Sequence, residues 1–304
     1  MTAVQFDQYG DVDVLNVVDA SIPEPERGEA LIKIKAASIN PGEAKIRQGL
    51  MHARWPATFP SGEGSDFAGI VTKLGHGVRG VKVGDEVIGF TDKRASHAEH
   101  VVAEARNLTL KPTAVSWEVA GSLAIAGSTA YAAVRAVSLK PGDSVAVSGA
   151  AGGVGSIAVQ LARDVGSRVI GTGRAADRDR ALDLGVEEFV DLEADRLEDV
   201  GEADVVFDVI GGDILKRSIA LVRAGGTLVT IAEPPTIQPE NGRAIFFVVE
   251  ADRSQLAELA QRLRDGRLTS NVGGVRPLAE APAAFGPDAP RVSGKTIIQV
   301  TEGW

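Results

Sequence analysis

The spacing of apolar positions along the chain changes character once, near residue 118, and that change divides the sequence into two parts. Before it, short apolar runs recur between turn signals: Ala30 to Ala37, Phe67 to Leu74, Glu86 to Phe90 and Ala98 to Ala103, separated by Pro23-Glu24-Pro25, Asn40-Pro41-Gly42 and Lys82-Val83-Gly84-Asp85. Short runs of this length bounded by Gly, Pro and Asn read as strands of a small β-rich domain. From Trp117 to Val137 the chain is apolar and Ala-rich, which predicts helix interrupted at Gly127. After Pro141-Gly142-Asp143 the rhythm becomes alternating. Strands are predicted at Ser144 to Ser148, Arg168 to Gly171, Glu188 to Val190, Val205 to Val209, Thr227 to Ile231 and Phe246 to Val249. Helices are predicted at Ser156 to Val165, Asp177 to Leu184 and Asp213 to Leu221. Buried strands separated by helices at this spacing imply a parallel sheet covered on both faces. An amphipathic helix at Ser254 to Leu263 and a strand at Lys295 to Val300 close the chain. The expectation is an α/β protein: a β-rich domain over 1–118, completed by about 258–304, and a doubly wound parallel domain over 119–257.

Composition narrows the chemistry. With 304 residues, 44% hydrophobic and 24% charged, the chain has the balance of an ordinary globular protein and room for two cores. Its net charge of -9, with no Lys/Arg run longer than two, argues against nucleic acid or an anionic membrane as partner. No apolar stretch is long enough to span a bilayer, and no basic-then-apolar leader is visible, so a cytoplasmic location is expected. There is no cysteine, which removes disulfides, thiolate metal ligands and a thiol nucleophile. Of the four histidines, only His97 and His100 are close in sequence. At that spacing on a strand they would face opposite sides, so all four are read as solvated surface residues and no metal site is expected.

The segment Gly149-Ala150-Ala151-Gly152-Gly153-Val154-Gly155 lies between a β run and a helix. Its glycines at 149, 152 and 155 depart from the strict G-x-G-x-x-G fingerprint. The physics is the same: a tight turn, close backbone approach, and a helix start aimed at a pyrophosphate. A glycine-rich turn that binds nothing is the bland alternative, disfavoured by the strand–turn–helix context. Cofactor choice is read at the end of the second strand, Arg168 to Gly171. No carboxylate is seen there, and Arg174 and Arg178 follow. Guanidinium groups pair two-pronged with phosphate, and Thr172 leaves space, so NADP(H) is favoured over NAD(H). The less favoured alternative is that Arg178 and Arg180 belong to an exposed helix face with Asp177, Asp179 and Asp183; Arg174, lying before that helix, is the stronger candidate.

Several segments together resemble the medium-chain dehydrogenase/reductase superfamily, in its zinc-free, zeta-crystallin-like quinone oxidoreductase branch. They are Ala37-Ser38-Ile39-Asn40-Pro41 with Arg47-Gln48-Gly49, Gly64-Ser65-Asp66-Phe67-Ala68-Gly69, Val83-Gly84-Asp85-Glu86-Val87, Gly127-Ser128-Thr129-Ala130-Tyr131, the glycine segment through Ala162, and Gly294-Lys295-Thr296. The resemblance implies a GroES-like domain, a Rossmann domain, an active site in the cleft between them, and commonly a homodimer paired through the Rossmann sheet edge, for which Phe246 to Val249 is the apolar candidate. Zinc-dependent relatives carry Gly-His-Glu where Gly64-Ser65-Asp66 stands and a Cys near Ser38 or Ile39, so zinc chemistry is not expected.

By the same resemblance, Asn40 would lie beside the nicotinamide and the substrate oxygen as the residue polarising it, with His52 a distant second. Thr129 would touch the cofactor's ribose or phosphate. Gly152, Gly153, Val154 and Gly155 would hold the pyrophosphate, and Gly173, Arg174 and Arg178 the 2′-phosphate end. Val209, Ile231, Phe246, Phe247 and Val248 would line the adenosine and nicotinamide sites. Glu43 replaces the family's usual Asp, and Lys45 and Met51 stand where some members have pocket aromatics. The expected activity is hydride transfer from NADPH to a small quinone or other α,β-unsaturated carbonyl. The alternatives are an enoyl or alkene reductase for a larger enone, and a non-catalytic NADPH-binding sensor or interaction protein.

Overall fold

The computed structural model describes residues 1–250 and 252–300. In chain order the elements are β1 (Thr2–Phe6), β2 (Asn16–Asp19), β3 (Glu29–Ser38), α1 (Pro41–Arg47), β4 (Ser61–Gly62), β5 (Asp66–Leu74), β6 (Glu86–Phe90), β7 (His100–Glu104), β8 (Leu108–Leu110), α2 (Trp117–Gly121) and α3 (Ala124–Val137). There follow β9 (Ser144–Ser148), α4 (Gly155–Val165), β10 (Arg168–Gly173), α5 (Arg178–Leu184), β11 (Glu188–Asp191), β12 (Ala203–Asp208), α6 (Gly212–Ser218), β13 (Val222–Thr230) and β14 (Arg243–Phe246). The chain ends in α7 (Arg253–Arg264), β15 (Val272–Pro277), α8 (Ala281–Ala284) and β16 (Lys295–Gln299). It divides into two compact units. One holds Met1–Ile125 with Ala251–Arg267 and Val272–Trp304; the other holds Ala126–Glu250 and Leu268–Asn271.

The first unit is built on a sheet of order β15-β16-β3-β5-β6-β8, with β7 also paired to β3. Alternating residues of β3 and β5 face one apolar core, in which Ile32, Ile34, Phe67, Val71, Val87 and Leu108 are essentially without solvent exposure. Two registers matter for chemistry. Pairing of Ala37 with Phe67 brings Asp66 beside Ser38, and pairing of Ile297 with Ser38 brings Lys295, two residues earlier, beside the loop that leaves β3.

The second unit carries a parallel sheet of order β11-β10-β9-β12-β13-β14, so consecutive strands run outward from β9 in one direction and then from β12 in the other. That is the doubly wound Rossmann order, and its topological switch lies between β9 and β12. Val145, Val147, Val169, Ile170, Val206 and Leu228 bury the sheet on both faces. Such two-sided burial is what a run without polar alternation anticipates.

Local departures from the expected elements have physical causes. The helical stretch after Trp117 breaks at Ser122 rather than at Gly127. The Ser122 hydroxyl donates to the Val119 carbonyl at 2.7 Å and closes α2, whereas Gly127 sits inside α3, where a glycine costs only ~1 kcal/mol. The last parallel strand ends at Phe246, so Phe247 to Val249 lie beyond it. The loop read as a bare turn at Asn40-Pro41-Gly42 starts α1, with Pro41 at the first helical position.

Candidate active site

The first unit buries an unusual number of polar groups at the junction of β3, α1, β5 and β16. Ser38, Asn40, Glu43, Arg47, Glu63, Asp66, His97 and Lys295 are all nearly inaccessible to solvent. Asn40 stands at their centre, just before α1. Its backbone N–H donates to Glu43 Oε2 at 2.8 Å, the return half of a capping box. Its side-chain Nδ2 donates to Glu43 Oε1 at 3.0 Å and to Asp66 Oδ1 at 3.0 Å, while Oδ1 accepts from Lys295 Nζ at 2.6 Å. Lys295 also donates to the Ile39 carbonyl at 2.7 Å, and the Ser38 hydroxyl donates to Asp66 Oδ1 at 2.8 Å. Asp66 Oδ2 accepts from the Ile125 backbone N–H at 3.2 Å. Both amide protons of Asn40 are thus engaged, and to polarise a bound carbonyl one of them has to leave Glu43 or Asp66.

An ion pair adjoins the cluster. Arg47 Nη1 donates to Glu63 Oε2 at 2.9 Å, with the guanidinium 4.9 Å from the centre of the Phe285 ring. His97 packs against the same ring at 5.6 Å. Reading His97 as a solvated surface residue is therefore wrong: it is fully buried, its Nε2 donates to the Ser38 carbonyl at 3.2 Å, and burial holds its pKa down to about 4. A neutral ring in a close-packed interior needs no charge partner, which is why histidine is tolerated here. His52 lies apart from this cluster. The Ala57 N–H donates to the Tyr9 hydroxyl at 2.9 Å, and that hydroxyl shares a hydrogen bond with His52 Nδ1 at 2.6 Å.

In the second unit the residues expected to hold a dinucleotide gather at the carboxyl edge of the sheet. The glycine turn follows β9, Gly173 ends β10 with Arg174 just after it, Val209 follows β12 and Ile231 follows β13. Gly149 has φ +69°, and a side chain on Gly155 would collide with the Gly149 carbonyl oxygen, so the turn must be glycine at both ends. It opens directly into α4, eleven residues long, whose start is capped by no side chain. Uncapped N–H groups with a favourable dipole fit a phosphate diester. Asn271 closes the turn from behind, its Nδ2 donating to the Ala151 carbonyl at 2.6 Å, and Gln160 of α4 makes paired hydrogen bonds to the Thr269 backbone at 2.8 Å. Neither anchor has a sequence signature, because both partners are more than a hundred residues away.

The end of β10 differs from its expected description. A carboxylate does lie there: the turn Ala175–Asp177 brings Asp177 back, and its Oδ2 accepts from the Arg174 backbone N–H and Nε, both at 3.2 Å. Spacing alone assigned Asp177 to the exposed helix face; the 3₁₀ turn is what buries it. Arg174 spends only Nε on this pair, and its terminal nitrogens make no hydrogen bond among the described residues. Thr172 Oγ1 is buried there without a hydrogen-bond partner among the described residues. Arg178 is exposed, its guanidinium 5.2 Å from the Phe189 ring centre. Thr129 is buried on α3, and Phe246, Phe247 and Val248 are half-buried at and beyond the end of β14.

The donor set in the first unit does not suit zinc. Zinc favours thiolate and imidazole, whereas this chain offers there the Ser38 hydroxyl, already bonded to Asp66, and among the described residues no group of three or more His, Asp or Glu is placed to hold a metal ion.

Burial sets the electrostatics. It pushes the Glu43 carboxyl up to about 8, helped by the nearby charges of Glu63 and Asp66 and opposed by the hydrogen bonds from Asn40. It raises Glu63, against the pull of Arg47, and lowers Lys295, which Asp66 and Glu43 pull back up. The folded chain therefore keeps on Glu43 a proton that the unfolded chain, at an ordinary 4.5, has lost, and stability falls as pH rises from about 4.5 to about 8. His97 acts at the other end: the fold favours its neutral ring, a contribution complete above its ordinary 6.5 and lost as pH falls towards about 4. The expected result of Glu43→Gln is a melting temperature less sensitive to pH between about 5 and about 8 than that of the parent chain. Parallel melting curves for the two would remove Glu43 as the source.

Comparison with known proteins agrees with both units. Residues 26–139 match the family described as alcohol dehydrogenase GroES-like domain, and residues 153–250 the family described as zinc-binding dehydrogenase. The chain is 33% identical over 280 residues to 2-methylene-furan-3-one reductase of Solanum lycopersicum, covering 88% of this chain and 70% of that protein. The quinone oxidoreductase of Coxiella burnetii superposes with a TM-score of 0.89 at 31% identity, over 99% of both chains. The Escherichia coli quinone oxidoreductase solved with NADPH gives 0.87 at 26% identity, over 98% of this chain and 100% of that one. With a GroES-like unit, a Rossmann sheet of the doubly wound order and relatives at this identity, the chain belongs to the medium-chain dehydrogenase/reductase superfamily, in its quinone oxidoreductase branch.

Proposed function

We propose that this protein reduces a small quinone or other α,β-unsaturated carbonyl with a hydride taken from NADPH. The observation that carries the reading is the donor set around Asn40: an amide, an ammonium and a hydroxyl held among carboxylates, where a metal-using relative would need thiolate and imidazole. Two relatives point to the same chemistry. The tomato enzyme is named for a methylene group conjugated to a ketone, and the E. coli quinone oxidoreductase was solved with NADPH.

NADPH, when bound, supplies the hydride; the chain supplies binding, orientation and polarisation. The segment Gly152 to Gly155 would hold the pyrophosphate through the backbone N–H groups of Gly153, Val154 and Gly155, while the Gly152 N–H closes the turn on the Gly149 carbonyl at 2.9 Å. Arg174, whose terminal nitrogens make no hydrogen bond among the described residues, takes the 2′-phosphate, aided by the exposed Arg178. Thr129, Val209, Ile231, Phe246, Phe247 and Val248 line the remainder of the dinucleotide. Hydride arriving at the β-carbon leaves negative charge on the carbonyl oxygen, and a donor placed there lowers the barrier. Asn40 Nδ2 is that donor, exchanging its bond to Glu43, which accepts only weakly when protonated. Solvent supplies the proton that completes the reduction.

The same reading includes a homodimer paired through the edge strand β14, which is half-buried and apolar at Ala244, Ile245 and Phe246. It also includes a cytosolic location, in keeping with 304 residues that contain no cysteine.

Assays of NADPH oxidation with a panel of quinones and a panel of enones test the activity directly. Turnover on either panel is expected, and preference for bulky enones would favour the enoyl-reductase alternative. Binding of NADPH without turnover on any acceptor would overturn catalysis and leave a binding or sensing role. Arg174→Ala is expected to raise KM for NADPH by about 10- to 100-fold, the worth of a charge-assisted phosphate contact, and to leave KM for NADH nearly unchanged. Equal effects on both cofactors would remove Arg174 from the 2′-phosphate site. In size-exclusion chromatography a dimer is expected; elution at the 31.6 kDa of one chain overturns it.

A further inference from the structure

Lys295 opens β16 opposite Val272 of β15, and its side chain is almost wholly buried. Burying an ammonium costs several kcal/mol unless partners offset it, and a well-packed apolar residue often serves stability as well or better. The contacts indicate what the charge does. An ammonium has three donors and no acceptor, so the group facing Lys295 Nζ at 2.6 Å must be the carbonyl end of the Asn40 amide. The Nδ2 end is thereby turned towards Glu43 Oε1 and Asp66 Oδ1, each at 3.0 Å. The opposite flip would set NH₂ against an ammonium and C=O against two carboxyl groups. The Ile39 carbonyl, at 2.7 Å, holds the ammonium in register with the same loop. The link spans 255 residues of sequence and exists only because β16 pairs with the end of β3.

We propose that Lys295 is a positioning residue for the reduction: it fixes the Asn40 amide with its Nδ2 donor on the side where the acceptor oxygen is polarised. The proposal rests on the reading of Asn40 as that donor, and it assigns Lys295 a role in turnover that neither substrate nor cofactor contact requires. Asp66 and Glu43 complete the device by receiving the two amide protons in the resting site. Ser38 adds a third donor to Asp66, keeping that carboxylate in place.

A double-mutant cycle on the full-length protein separates positioning from mere support. The kcat for a quinone acceptor and the KM and Kd for NADPH are measured for the parent, Lys295→Met, Asn40→Ala and the double variant. Lys295→Met and Asn40→Ala are each expected to lower kcat by about 100- to 1000-fold, the range for loss of a donor to developing negative charge. The KM and Kd for NADPH should move by no more than about 2-fold, and the double variant should be no slower than the slower single. A structural role for Lys295 would instead multiply the two losses, and full additivity overturns the proposal. Full kcat in Lys295→Met beside a slow Asn40→Ala overturns the proposal while leaving the donor reading intact; full kcat in Asn40→Ala overturns the donor reading itself. Should Lys295→Met not fold, Lys295→Arg keeps a positive charge opposite Asp66 but forks its donors. It is expected to lose kcat in the parent background and to lose nothing further in Asn40→Ala, and independent losses overturn the proposal in the same way.

Discussion

The pairing of β16 with the end of β3 is the constraint on which the site depends. It sets a C-terminal lysine against an asparagine near the N-terminus, and without it Asn40, Glu43 and Asp66 would form a buried acidic pocket with no cation within hydrogen-bond reach of the amide. Uncompensated, two carboxyl groups and an amide carbonyl in that volume would be costly to desolvate. With Lys295 present the cluster closes: each oxygen and each amide proton of Asn40 has a partner, and the neighbouring Arg47–Glu63 pair balances itself. One proton too few among the carboxyl groups remains the cost, and Glu43 meets it by staying protonated towards neutral pH.

The same logic explains why this chain handles a carbonyl without the ligands of its zinc-using relatives. Thiolate and imidazole at the junction of β3 and β5 would bring a dication with them. Hydroxyl, amide and carboxyl groups there form a hydrogen-bonded network instead, and the histidine nearest to it, His97, is kept neutral and bonded to backbone. A network of this kind can offer oriented donors to a developing oxyanion, which suits conjugate reduction better than removal of a proton from an alcohol.

Much of the fold was legible because its signals are local. The runs at Glu86–Phe90 and Ser144–Ser148 match observed strands, and the glycine turn falls between β9 and α4 as its spacing implied. α1 also carries a local signal: Asn-Pro-x-Glu sets an N-cap, an N1 proline and an N3 carboxylate at 40, 41 and 43. β15 was hidden by Gly273 and Gly274, which weaken the apolar pattern. What could not be read are relations between distant residues. Burial of His97 follows from packing on Phe285, the return of Asp177 to the β10 end from a 3₁₀ turn, and the orientation of Asn40 from a lysine 255 positions away. Spacing rules carry no information about any of these.

The central claim, transfer of a hydride from NADPH to the β-carbon of a conjugated carbonyl, is tested most directly by isotope transfer. The protein is given NADPH deuterated at C4 of the nicotinamide, in each of the two stereochemical forms, with a simple enone, and the product is examined by NMR. Deuterium at the β-carbon from one of the two forms is the result expected. Deuterium at the carbonyl carbon of an allylic alcohol, or none in any product, would contradict the account.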